Sequence, residues 1–189
     1  MLSGFVEPNS EEAQRLRLYA RQIICGERDV YDCFGVQKPV SDFRQTGRGM
    51  GRRNDQERLA PAVKGYAAGV ALNLYFALGF NPNDAVQELE KDAHDIAVQS
   101  GMDLSMATYL VVTYCCQHAA ARLNDPRAMF ALAGLAHCSR NEGRIQEAED
   151  FTSFLRDIPD TPSETPLSRD DLQRFRKSLR THLANARRN

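Results

Sequence analysis

The sequence predicts an all-α protein, either an antiparallel helical bundle or an array of α-hairpins, with six to seven helices. Apolar residues recur at helical spacing in segment after segment, for example Leu89, Ala93 and Ile96 between acidic neighbours. These segments are mostly joined by short turns that contain Gly, Asn or Pro. No segment carries the alternating pattern of a β-hairpin. At 189 residues the chain is expected to form a single domain, residues 1–189.

Each helix is predicted from its apolar spacing together with a capping residue at its start or a stop signal at its end. Asp103 and Asp125 are among the predicted caps, and Gly101 is among the predicted stops. Pro61 is compatible only with the first turn of its helix, because proline has no N–H to donate. A short helical turn is also expected near residues 30–34. The main helices are predicted over residues 10–25, 56–78, 83–100, 104–123, 126–140, 144–157 and 168–188.

Two charge-free segments, residues 65–83 and 104–121, are each about as long as a transmembrane helix requires. Polar residues such as Gln117 interrupt them, and both are rich in Ala rather than Leu. Small residues such as Gly65 and Gly69 let two helices approach closely in a protein core. We therefore predict that both segments are central core helices of a soluble protein and that the chain does not bind a membrane.

The composition indicates an ordinary globular protein from a reducing compartment. Hydrophobic residues make up 42% of the chain and the formal net charge is −1, so no global field attracts nucleic acid or an anionic membrane. The five cysteines are an odd number without a Cys-x-x-Cys motif, which does not fit a secreted disulfide scaffold. The first nine residues lack the basic and apolar segments of a signal peptide. The predicted location is the cytoplasm.

One helical pair carries a spaced motif. Gly143 precedes Ile145 by two residues and Ala148 by five, and an apolar helix comes before the glycine. With this spacing, residues 129–159 resemble a single tetratricopeptide hairpin, although the aromatic residue expected four positions after the alanine is Thr152. The resemblance implies a helical-repeat surface that binds a peptide or a partner protein. An ordinary αα-hairpin is the alternative.

Cysteine and histidine residues form the best candidate for a metal site or a nucleophile. Cys115 and His118 share one helix face, and His137 and Cys138 lie on the next predicted helix. A Cys/His nucleophile pair could use the same residues, but no glycine-rich elbow or oxyanion hole accompanies them. Both clusters lie in apolar helices, where cysteine and histidine are common core residues. The sequence therefore favours no metal, no cofactor and no catalytic site.

Residues 35–55 are predicted to form a mobile loop rich in Gly and Arg. Its spacing matches neither nucleotide-binding glycine motif. Glycines let backbone N–H groups approach an anion and arginines neutralise phosphate, so this loop could bind phosphate groups. A solvated loop without a ligand is the alternative. The candidate binding residues are Arg44, Arg48, Arg52 and Arg53.

A proline-rich linker, residues 158–167, is predicted to lead to a basic amphipathic C-terminal helix, residues 168–188. In this C-terminal helix, the candidate partner- or phosphate-binding residues are Arg174, Lys177 and Arg180. The apolar stripe of this helix favours docking on the protein's own core, with the basic side chains near the acidic helices. Binding to a partner or to nucleic acid is the alternative.

Together these features predict a non-catalytic helical protein–protein interaction module, an adaptor or scaffold, whose partner is another protein. A homo-oligomer stays open as a form of this module. A nucleic-acid-binding protein that uses the Gly/Arg loop and the basic C-terminal helix is the alternative function.

Overall fold

The computed structural model describes the backbone of residues 9–36, 50–158 and 169–186, and the side chains of residues 9–36, 59–158 and 170–181. All regular structure in these ranges is α-helical, which confirms the predicted fold class. There are eight helices in these ranges rather than six or seven, because the short turn near residue 30 is a helix of its own. The helices are α1 (Glu11–Ile24), α2 (Val30–Cys33), α3 (Met50–Ala77), α4 (Pro82–Ser100), α5 (Leu104–Leu123), α6 (Pro126–Asn141), α7 (Ile145–Asp157) and α8 (Arg169–Ala186).

Side-chain caps start α1, α2, α4, α5 and α6 close to the predicted positions, whereas α7 begins without one. Asp103 and Asp125 each accept a hydrogen bond from a backbone N–H of the first turn, at 3.0 and 2.9 Å. The helix α4 begins at Pro82 rather than at residue 83, because Asn81 is its cap. Proline suits the first helical position, because an N–H group there would have no hydrogen-bond acceptor within the helix.

The prediction for the start of α3 is wrong. The helix begins at Met50 rather than near residue 56, so residues 50–55 of the predicted loop are helical, whereas residues 37–49 lie outside the described part. Pro61 therefore lies inside the helix and not in its first turn. The Arg, Gln and Glu residues that follow Gly51 are strong helix formers, and they outweigh the glycine and proline signals.

Helix α6 occupies the centre of the structure and packs against α1, α3, α5 and α7, while α4 packs on α3 and α5. Most α6 residues are buried, and many are Ala or Gly. The two charge-free segments lie in α3 and α5 and contribute to the core, but the most enclosed helix is α6. Small side chains allow four neighbours to approach one helix at close distance.

The glycines that matter for packing are not those of the predicted Gly-x-x-x-Gly pair. Gly65 and Gly69 are exposed, and a Cβ atom added at either would meet no described heavy atom within 4 Å. A Cβ atom added at Gly134 of α6 would lie 2.6 Å from the ring of Phe34 and 3.0 Å from Val63. Gly134 thus provides the space in which α2 docks on α6 and α3.

Phe34 fixes this docking through aromatic contacts. Its ring stacks on Phe130, with the centroids 4.4 Å apart, and meets Tyr66 edge-on at 5.6 Å. Burial raises the pKa of the Tyr66 hydroxyl to about 12, so the phenol stays neutral. Within the ranges that the structure describes, no helix has the length and hydrophobicity needed to cross a membrane.

We expect Gly134→Ala to lower the free energy of unfolding by about 1–3 kcal/mol, because the added methyl group overpacks the contact with Phe34 and Val63. Urea unfolding followed by circular dichroism measures this change. Stability equal to or above that of the wild type would contradict this expectation, because the contact would then cost no more than the roughly 1 kcal/mol that alanine gains over glycine in a helix.

The matched controls are Gly65→Ala and Gly69→Ala in the helix α3. Both positions are exposed and have space for a methyl group, so each substitution is expected to raise the free energy of unfolding by up to about 1 kcal/mol.

Candidate functional site

An open groove of about 370 Å³ lies between α3, α5 and the turn that joins α6 to α7. Its floor is apolar and consists of Ala67, Val112 and Leu135, all of which are buried. Groups that can form hydrogen bonds or ion pairs surround this floor at the rim. The groove is lined by Lys64, Ala67, Ala68, Ser105, Met106, Thr108, Tyr109, Val112, Leu135, Glu142 and Arg144.

Two cations approach the ring of Tyr109 at the rim of the groove. The guanidinium carbon of Arg144 is 5.3 Å from the Tyr109 ring centroid, and the Lys64 Nζ atom is 5.6 Å from the same centroid. Arg144 Nη1 also donates a hydrogen bond to the Tyr109 hydroxyl, at 3.4 Å. Burial raises the pKa of this hydroxyl despite the opposing effect of Arg144, so the phenol is neutral near pH 7.

The charge of Arg144 is compensated within the protein. Its guanidinium pairs with Glu142 at 2.6 Å and also with Glu147, which accepts a further hydrogen bond from Ser139 at 3.0 Å. Burial opposes the charge on Arg144, but the hydrogen bonds to Tyr109 and Glu142 outweigh it and raise the pKa of Arg144. Arg144 is therefore a fixed part of the rim.

Lys64 is the cation at the rim that can meet a ligand. Its side chain is exposed, and among the described residues no carboxylate lies within ion-pair distance of its ammonium group. The ammonium group of Lys64 lies over the ring of Tyr109. An ammonium group held beside an aromatic ring keeps its charge and its three N–H donors for another partner.

Exposed apolar side chains extend the groove at the start of α5 and of α7. Met106 lines the groove and is 48% exposed, and Leu104 and Ile145 are similarly exposed. Gly65 and Gly69 continue the exposed side of α3 next to Ala68. The surface around the groove thus lacks side chains at two positions of α3 and is apolar at the start of α5.

The sequence-predicted arginines of the Gly/Arg loop are only partly placed. Arg44 and Arg48 lie outside the described residues. Arg52 and Arg53 belong to the first turns of α3, where the structure describes the backbone and not their side chains. A binding role for these four residues stays a prediction.

The C-terminal helix docks on the core through its apolar stripe, as the first of the two interpretations predicts. Phe175 and Leu179 are 1% and 2% exposed, and Phe175 packs against Tyr75 and Tyr114 with ring centroids 6.2 and 5.4 Å apart. This stripe is therefore covered by the protein itself.

An ion-pair network joins α8 to the acidic helix α4. Arg176 donates to Asp92 at 3.1 Å and also pairs with Glu88, while the Tyr75 hydroxyl donates to Asp92 at 2.6 Å. Burial opposes the charge on Arg176, but the two carboxylates outweigh it and raise the pKa of Arg176. This network fixes the position of α8 along α4.

The three predicted binding residues of α8 lie on its exposed side. Arg174 pairs with Asp171 at 3.1 Å, and Arg180 lies 4.0 Å from Asp95 of α4. Lys177 is exposed between them. Two of the three charges therefore face carboxylates of the same protein. The exposed side of α8 carries less net positive charge than the sequence suggests.

The cysteine pair of α5 is part of the core. Cys115 and Cys116 are fully buried, and the Cys116 thiol donates to the Ala67 carbonyl oxygen at 3.5 Å. Burial raises the pKa of both thiols well above the usual range, so both are protonated and poorly nucleophilic.

The other candidate metal ligands are also buried or in contact with other residues of the protein. His118 packs against Phe175, with the ring centroids 5.1 Å apart, and His137 shares a hydrogen bond with Asn141 at 2.8 Å. Burial raises the pKa of Cys138 to about 11. In the part of the chain that the structure describes, no three His, Cys, Asp or Glu side chains come together as a set that could hold a metal ion.

The pair α6–α7 forms the helical hairpin on which the tetratricopeptide resemblance rests. Gly143 turns the chain with a φ of +79°, a conformation that favours glycine, and Ala148 is fully buried against α6. Phe151 is also buried. Any αα-hairpin shares these features, so membership of the repeat family stays a prediction.

Comparison with models of protein families, with curated proteins and with solved structures found no match for this chain. The interpretation of its function therefore depends on the residues of the groove and of α8.

Sequence reasoning did not identify the groove. Lys64, Tyr109 and Arg144 are far apart in the chain and come together only in the folded state. One signal was present: Lys64 is a single cation immediately before a long charge-free segment of α3. A lone charge at such a position is consistent with the edge of a binding surface.

The pH dependence of stability provides a test of how α8 docks. Burial and the nearby Arg122 lower the pKa of His118 below its usual 6.5, against the smaller effect of Asp171, and its buried Nε2 atom has no hydrogen-bond partner among the described residues. As the pH falls through 6.5, the unfolded chain therefore takes up a proton that the folded chain does not. The free energy of unfolding falls as a result.

We expect His118→Phe to reduce the loss of stability between about pH 7.5 and 5, because the substitution removes this titration and keeps an aromatic ring beside Phe175. Urea unfolding at a series of pH values measures the difference. His137→Phe removes the second histidine of lowered pKa and should reduce the loss by the same mechanism, so the double variant should reduce it further than either single variant. An unchanged pH dependence in His118→Phe would contradict the role of His118.

Proposed function

We propose that this chain is a non-catalytic helical interaction module, an adaptor or scaffold, that binds a segment of a partner protein in the groove between α3 and α5. The observation that carries the proposal is the groove itself: a buried apolar floor, a polar rim and an exposed cation without a carboxylate partner among the described residues. Such a combination provides burial for an apolar side chain and orientation for a polar one.

The surface around the groove favours a macromolecule as the partner. Exposed Met106 and Leu104 extend its apolar surface, and Gly65 and Gly69 leave the neighbouring side of α3 free of side chains. Glycine inside a helix lowers its stability by about 1 kcal/mol relative to alanine. Neither glycine is needed by a described contact of the chain, whereas an approaching backbone would use the space.

The cysteine chemistry supports the non-catalytic part of the proposal and a reducing location such as the cytoplasm. All five cysteines are free, and three are buried. Burial raises the pKa of these three thiols, which makes them poor nucleophiles near pH 7.

Ala68→Trp tests the proposal because it fills the groove from a partly exposed helical position. The probe is a library of random short peptides displayed on phage, selected against the purified full chain. We expect peptides that bind the wild type and lose at least about tenfold in affinity for Ala68→Trp, because the indole occupies the apolar floor.

Val98→Trp is the matched control, since it places the same side chain at an exposed helical position that does not line the groove. Its peptide binding should equal that of the wild type. Selection of no peptide, or of peptides that bind Ala68→Trp equally well, would contradict the proposed function.

Nucleic-acid binding is the second candidate, favoured by the exposed basic side of α8. Arg174 is 73% exposed and Lys177 is exposed beside it. Because Arg174 and Arg180 already face carboxylates, we rank this function below binding to a protein.

The doubly substituted chain Arg174→Glu with Lys177→Glu tests nucleic-acid binding. If α8 contacts phosphates, this variant should bind a fluorescent single-stranded oligonucleotide about tenfold or more weakly than the wild type, with a smaller dependence on salt. Fluorescence anisotropy at several salt concentrations measures both quantities. Equal binding by the two chains would exclude α8 as the contact surface.

A further inference from the structure

We infer that the groove recognises a partner segment in which a large apolar side chain lies next to an aspartate or glutamate. This inference rests on the proposed function and specifies the chemistry of its partner. The apolar side chain occupies the floor between α3 and α5, and the carboxylate pairs with Lys64 at the rim.

The floor of the groove determines the apolar residue of the proposed segment. Ala67, Val112 and Leu135 present only aliphatic atoms, and Met106 adds a flexible thioether at the open side. The volume of about 370 Å³ lies within the range of pockets that accept small ligands and side chains. Burying one large apolar side chain there removes it from water and supplies most of the favourable free energy.

The distribution of charge at the rim determines the acidic residue of the proposed segment. Arg144 is paired with Glu142 and Glu147, so a carboxylate that approached it would also meet two like charges. Lys64 is held 5.6 Å from the Tyr109 ring centroid, and no described carboxylate pairs with it. A partner carboxylate therefore gains most at Lys64.

The number of available charges favours a carboxylate over a phosphate-rich partner. Nucleic acid and phosphate groups are held by several cations at once, usually including an arginine whose donors are free. Among the described residues, the rim provides one such cation, Lys64, because the donors of Arg144 are used by Glu142, Glu147 and Tyr109. One ammonium group matches one carboxylate.

The Lys64→Glu variant tests the inference with the same displayed peptide library. Peptides selected on the wild type should share an Asp or Glu next to a large apolar residue. Selection on Lys64→Glu should replace the acidic residue with Lys or Arg. The affinity of a wild-type-selected peptide should fall about three- to thirty-fold on Lys64→Glu, and also when its own acidic residue is changed to the amide.

Lys91→Glu is the matched control, because it changes the net charge equally at an exposed lysine outside the groove. It should leave both the selected pattern and the affinities unchanged. A drop equal to that of Lys64→Glu would assign the effect to net charge and overturn the inference.

The remaining outcomes separate the inference from the proposed function. Peptides that depend on Ala68 but show no acidic preference, or bind Lys64→Glu equally well, overturn the inference and leave the interaction module supported. A wild-type homodimer that Ala68→Trp dissociates overturns the inference by making a second copy the occupant. Absence of any Ala68-dependent peptide removes both proposals.

Discussion

The enclosure of α6 is the constraint on which the rest of the structure depends. Four helices pack around α6, and the alanines and the glycine of its buried surface let them approach closely. The requirement is strictest at Gly134, where the Phe34 ring occupies the space that any larger residue would need. Leu135, the next residue, forms part of the groove floor, so the same helix that organises the core also sets the depth of the candidate site.

Most of the helices could be predicted from the sequence because short-range interactions determine where they begin and end. Asp103 and Asp125 satisfy N–H groups of their own first turns, and the apolar spacing of α4 decides which side faces the core. The start of α3 was missed because Gly51 and Pro61 suggest breaks that the neighbouring helix formers outweigh. The central position of α6 was missed because it depends on contacts between residues that are distant in the chain.

The candidate site could not be predicted for a related reason. Lys64, Tyr109 and Arg144 each have an ordinary explanation in isolation: a surface charge, a core aromatic residue and a turn residue. Their common location follows from how α3, α5 and the α6–α7 turn meet, which no spacing in the sequence records. The basic residues that did stand out, such as Arg174 and Arg180, are partly neutralised by carboxylates of the same protein.

The composition of α3 has a consequence for motion. This longest helix contains Pro61, which removes one backbone hydrogen bond, and the exposed glycines Gly65 and Gly69. Its helical form is therefore maintained mainly by the packing of its inner side, and its outer amide protons should exchange with solvent through local opening sooner than those of the enclosed α6. A segment bound over this side would slow that exchange, so the order of α3 and the occupancy of the groove are thermodynamically linked.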